Sequence, residues 1–109
     1  MKCILSGLEI SKADASREHL CPRHRVPKII WNNPENVFNA HYLLNSIKSD
    51  FLPCEWNEEK YSLVEYALRK WKLQQSERDF LNKAVANWKA GYNPDWCSLC
   101  LLKCKEKQK

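Results

Sequence analysis

The sequence predicts an α+β domain, and three observations carry that expectation. The first half, to about Pro53, holds short apolar runs of irregular spacing, broken by four of the five prolines and one of the two glycines, which is the signature of short strands and loops. The second half holds two segments with apolar residues at helical spacing. At 109 residues the chain suffices for one domain of ordinary size and is too short for two.

The elements follow in order. Residues 28–31, KIIW, form a short β-type run, and NNPEN after it signals a turn through Asn before Pro. Residues 37–48, VFNAHYLLNSIK, begin as a strand and then place Leu43, Leu44 and Ile47 at helical spacing, so a strand running into a short helix is expected. FLPCEW closes that segment. NEEKYSLVEYALRKWKL sets Val64, Ala67, Leu68 and Trp71 on one helical face, with Asn57 available as N-cap and two acids in the first turn. SERDFLNKAVANWKAG repeats the pattern, with Ser76 as N-cap, Asp79 in the capping-box position, Gly91 as C-cap and Pro94 beyond. Trp56, Trp71, Trp88, Tyr92 and Trp96 supply the aromatic part of the helical core. The Lys-rich end KCKEKQK reads as frayed, and no internal repeat is present.

Composition limits the function classes. A hydrophobic content of 44% with five Trp excludes a wholly disordered chain. Lys and Arg outnumber Asp and Glu by 18 to 13, a net charge of +5, which favours an anionic partner such as nucleic acid. Glu9 and Lys12 interrupt the opening MKCILSG run before it reaches signal-peptide length, and nothing later resembles a membrane span, so a cytoplasmic protein is expected. In such a reducing compartment six Cys point to metal binding or plain burial rather than to disulfides.

Chemistry concentrates in Glu18-His19, Asn36, and His41 to Asn45. On a helix His41 and Asn45 stand at i and i+4 on one face, where both reach one ion, whereas Glu18 and His19 at a strand end point to opposite sides. Phosphodiester hydrolysis needs such parts: a hard cation to neutralise the phosphate and a base with a pKa near neutrality. His24 belongs with the basic loop rather than with a second base.

The string EHLCPRHR followed by NPENVFNAHYLLNSIKSD resembles the HNH endonuclease motif over roughly residues 3–50. The resemblance implies a ββα-metal core, a β-hairpin followed by a helix that grips one divalent ion, Mg2+ or Mn2+. It also implies a metal-dependent DNA endonuclease that leaves 5′-phosphate and 3′-hydroxyl ends. Carried over residue by residue, His19 matches the general base, Glu18 and Asn45 the metal ligands, and Asn36 the asparagine that fixes the loop behind the base. His41 falls where some members place a further metal-binding histidine. Two features depart from the pattern. The acid before the base is Glu rather than Asp or His, and the positions of the two CxxC pairs that hold zinc in many members are occupied by Cys3 with Ser6 and His41 with Leu44.

Around the motif, Arg17, Arg23, Arg25, Lys28 and Lys48 stand where contacts to DNA, double-stranded in this expectation, are wanted. In the tail, Cys97-x2-Cys100 and Cys104 have zinc-ligand spacing and need a fourth donor, for which Cys3 and Cys54 are candidates. The expected organisation is a nuclease core over residues 1–53, a helical extension over 54–94 and a Cys/Lys-rich tail over 95–109, with a dimer or a protein partner supplying specificity. The rival expectations are a nucleic-acid-binding protein that kept the scaffold without turnover, and a zinc-binding interaction protein built on the C-terminal cysteines.

Overall fold

Two short strands frame the first half in the computed structural model, which describes residues 1–101. β1 (Ala15–His19) pairs antiparallel with β2 (Val37–His41), with Ala15 opposite His41 and His19 opposite Val37. The alternation of a strand puts Arg17 and Asn39 together on the exposed face and Glu18 opposite Phe38 on the inner one. A lone pair of strands is marginal in water, so the sheet depends on what packs against it.

Between the strands lies a long loop. It contains α1 (Lys28–Trp31) and a 3-10 turn over Pro34–Asn36, whose start is capped by Asn33 Oδ1 accepting the Glu35 N–H at 2.9 Å. The expectation of a β-type run at KIIW is corrected here. β1 and β2 pair with each other, while Pro27 at φ −64° leads the segment into a helical turn that the Trp31 and Asn32 N–H groups close on Pro27 and Lys28 carbonyls.

β2 runs directly into α2 (Tyr42–Lys48), as the pattern of residues 37–48 predicts. Leu43, Leu44 and Ile47 are buried along α2. His41 is the N-cap, its ring nitrogen accepting the Leu43 N–H at 3.1 Å, so the expected helical i, i+4 relation with Asn45 does not hold.

α3 (Pro53–Lys70) starts four residues ahead of Asn57. FLPCEW therefore opens a helix instead of closing a segment, with Pro53 in the first turn and Glu55 Oε1 accepting the Leu52 N–H at 2.8 Å. α4 (Gln75–Lys89) begins after Gln74, whose N–H is taken by Glu77 Oε1 at 2.7 Å, rather than at the expected Ser76 and Asp79. Gly91 follows its end with φ +115°, a left-handed position that suits glycine. The short α5 (Trp96–Leu99) is capped by Asp95 Oδ1 accepting the Ser98 N–H at 3.1 Å.

One core joins both halves. Leu5, Leu20, Ala40 and Leu44 pack with Trp56, Val64, Leu81, Trp88 and Trp96, and Trp56 meets Trp88 edge to face at 5.8 Å between centroids. The end of α4 grips the N-terminal turn: Trp88 Nε1 donates to Leu5 O at 2.9 Å, Asn87 Nδ2 to Ser6 O at 2.7 Å and Tyr92 Oη to Ile4 O at 2.7 Å. At Gly7, φ is +76° and a Cβ would meet the Tyr92 ring at 2.4 Å, so only glycine fits. The radius of gyration, 13.7 Å, is near the roughly 13 Å of a single domain of this length. Among the described residues no helix is long and apolar enough to cross a membrane. The Lys-rich end from residue 102, including Cys104, lies outside the described residues.

Candidate active site

The end of β1, the start of the following loop and the last turns of α2 enclose an open pocket of about 310 Å3, lined by Arg17, Glu18, His19, Arg23, His24 and Asn45 among others. A larger depression of about 470 Å3 crosses β2 and shares Arg17, but its lining, Lys2 to Ile4, Pro34, Val37 to Asn39 and Tyr92, holds no acid and no histidine. Of these two, the smaller pocket carries the acid and the histidines.

His19 ends β1 and is half-buried. Its ring lies edge-on to Trp31 at 6.0 Å between centroids. Burial lowers its pKa from the ordinary value of 6.5, and the nearby charges of Arg23, Arg17 and Lys48 lower it further, so the neutral, proton-accepting imidazole is favoured. Trp31 also carries the Arg23 guanidinium over its face at 4.5 Å. Trp31 thus braces both groups, a role that no local motif in the sequence announces.

Glu18 turns the other way and is 2% exposed. Lys48 Nζ approaches Glu18 Oε2 at 2.7 Å, yet its aligned hydrogen bond goes to Leu20 O at 3.0 Å, leaving the carboxylate contact one of charge. Burial pushes the Glu18 pKa up and Lys48 offsets part of that rise. Lys48 itself is fully buried. That corrects its expected place among the DNA contacts: it joins the end of α2 to the end of β1.

Asn45 is set by its amide nitrogen, which donates to Ser16 Oγ at 2.9 Å and to Arg17 O at 3.1 Å. Ser16, whose hydroxyl donates in turn to Ala40 O at 3.1 Å, is a further positioning residue that sequence reasoning missed. Asn36 is fully buried and bridges the loop behind His19. Its Oδ1 accepts the Cys21 N–H at 2.7 Å, and its Nδ2 donates to Cys21 O at 3.0 Å and Trp31 O at 3.2 Å. Both its amide N–H groups and its side-chain oxygen are thus engaged by the loop backbone.

His41 is elsewhere. It caps α2, is stacked against Phe80 at 3.8 Å and Tyr42 at 4.5 Å, and lines a separate depression with Asp14 and Glu77. This removes it from the metal ligands expected beside Asn45.

Glu18 Oε2 is buried against the Lys48 ammonium at 2.7 Å, which leaves Oε1 as the carboxylate oxygen for an ion, and Asn45 uses its amide N–H groups on the protein, which leaves its carbonyl oxygen for a ligand. Both line the pocket beside His19. Two hard oxygens suit Mg2+ or Mn2+, which keep waters and bind substrate phosphate as well. Among the described residues no three of His, Cys, Asp and Glu gather to hold an ion without such help.

The basic residues divide by surroundings. Arg17 and Arg23 are exposed on the pocket's lining. Arg25 is held by Glu55 in a two-point ion pair at 2.9 and 3.0 Å, with a further bond to Asp50 O at 3.1 Å. Lys28 is exposed on α1 beside Ile29. The tail cysteines are also redistributed. Cys3 lies in the main core, its Sγ accepting the His41 N–H at 3.3 Å, away from Cys97 and Cys100. Among the described residues Cys21 meets Cys100 at 3.4 Å between sulfurs, and Cys21 has no CxxC spacing to mark it in the sequence.

Comparison of the chain with protein-family models, with curated proteins and with solved structures finds no match.

Proposed function

We propose that the chain is a metal-dependent endonuclease of the HNH type, which hydrolyses phosphodiester bonds of DNA at the pocket around His19. One observation carries the proposal. A strand–loop–strand–helix unit delivers an imidazole, two hard oxygen donors and two exposed guanidinium groups to one open pocket.

Each group has a task. His19 accepts a proton from the attacking water, for which its neutral form is required. Arg17 and Arg23 hold non-bridging phosphate oxygens through charge-assisted hydrogen bonds and present the scissile bond to the imidazole. Asn36 keeps the loop behind His19 in place through Cys21 and Trp31. Ser16 aims the Asn45 amide. Glu18 and Asn45 would hold the Mg2+ or Mn2+ ion, which when bound supplies charge neutralisation at the phosphate and at the departing 3′ oxygen.

The test is incubation of supercoiled plasmid with the purified full chain, in magnesium and in excess chelator. Nicked or linear product with magnesium and none with chelator is the expected result. Equal cleavage in chelator contradicts the proposal. A second reading, binding of nucleic acid without turnover, is favoured by the Glu18–Lys48 ion pair, which already neutralises one candidate ligand. It predicts a shifted plasmid that stays supercoiled in either metal.

A further inference from the structure

The cysteines form a second centre, away from the main core. Cys21 and Cys100 are fully buried and their sulfurs are 3.4 Å apart, with Cys54 and Cys97 packed around them together with Val26 and Ile30. They come from three separated parts of the chain: the loop two residues past His19, the first turn of α3, and α5 with its C-cap. A disulfide needs about 2.05 Å between sulfurs. Two thiolates on one zinc ion, with Zn–S near 2.3 Å and tetrahedral angles, stand about 3.8 Å apart, which is within a few tenths of an ångström of the Cys21–Cys100 separation.

We propose that Cys21, Cys54, Cys97 and Cys100 together bind one structural zinc ion, with Cys21 and Cys100 as a preformed pair and Cys54 and Cys97 closing on it. Cys97 and Cys100 keep the x2 spacing common to zinc ligands. Cys54 and Cys97 line one depression together, and both pack against the Cys21–Cys100 pair. The closure is needed, because no three of the four already stand in ligand geometry among the described residues.

The site would do mechanical work. The 20–36 loop is held by Asn36, by Lys48 on Leu20 O and by Arg25 on Glu55 and Asp50 O. A zinc ion on Cys21 ties that loop to α3 and α5 at once, next to the residue that the nuclease proposal makes the base. The zinc proposal does not depend on that activity, since metal content is read directly.

The experiment is metal analysis of the full chain purified under reducing conditions, with cobalt(II) exchanged for zinc in a parallel sample. About one zinc per chain is expected, with intense visible bands of tetrahedral cobalt and near-ultraviolet thiolate charge-transfer bands. Cys21→Ser and Cys100→Ser should each lose most of the metal, whereas Cys3→Ala, in the main core, should keep it. Should a cysteine variant fail to fold, the cobalt spectrum of the wild-type chain still decides between thiolate ligation and none. Wild-type protein without zinc and without thiolate bands overturns the proposal, as does a Cys21–Cys100 disulfide found by mass spectrometry in the unreduced chain. Full zinc in Cys21→Ser overturns the ligand set.

Discussion

His19 and Glu18 adjoin in sequence and differ in surroundings because a strand turns successive side chains to opposite faces. His19 meets Trp31 and solvent, while Glu18 meets Lys48 in the interior. The pair Glu18-His19 and the later Asn45 were legible because they fall in a short string with fixed spacing. Lys48 was not. A lysine ordinarily reads as a surface charge, and its acid partner is remote in sequence, so only the fold reveals that the two neutralise each other. Removing Lys48 leaves a buried carboxylate without its counter-charge. Lys48→Met should therefore cost about 3–5 kcal/mol of unfolding free energy, measured by urea denaturation, and adding Glu18→Gln should recover much of the loss. An unchanged midpoint in the single variant would mean that the pair contributes nothing.

Elements were legible where periodicity was long and obscure where it was short. Both long helices show their apolar faces plainly, but each starts earlier than its most obvious cap. Pro53 with Glu55, and Gln74 with Glu77, are start signals that Asn57 and Ser76 obscured. Four residues at KIIW are too few for propensity to prevail over the lack of a strand partner. His41, the cap of α2, has a testable pH signature. Burial lowers its pKa below 6.5 despite the opposing pull of Asp14 and Glu77. The unfolded chain then takes up a proton that the folded chain resists. The stability linked to His41 is complete above pH 6.5 and is lost as pH falls through the lower folded value. Protonation would also remove the ring nitrogen that accepts the Leu43 N–H. Thermal melts from about pH 7.5 to 5 should show a steeper fall in Tm for wild type than for His41→Asn, which keeps a capping acceptor without titrating in this range. Parallel curves would remove His41 from the acid response.

At the scale of the molecule, the net charge of +5 favours an anionic partner without marking a place for it. Burial and pairing sort the charges: Lys48 is inside, Arg25 is held by Glu55, and Arg17 and Arg23 remain exposed at the pocket. Arg17→Ala and Arg23→Ala should each weaken DNA binding and reduce the slope of log affinity against log salt by about one, with a smaller change for Arg25→Ala. Unchanged slopes for the first two would place the DNA elsewhere. The cysteine centre shows why part of the architecture stayed hidden: Cys21, Cys54 and the Cys97-x2-Cys100 pair are brought together only by the packing of the loop, α3 and α5. The central claim is that His19 is the base of a phosphodiesterase. Its most direct test is the rate of magnesium-dependent plasmid cleavage by His19→Ala beside wild type, with DNA binding measured on the same samples. The predicted result is retained binding with cleavage reduced by on the order of a hundredfold or more, and cleavage at the wild-type rate would contradict the claim.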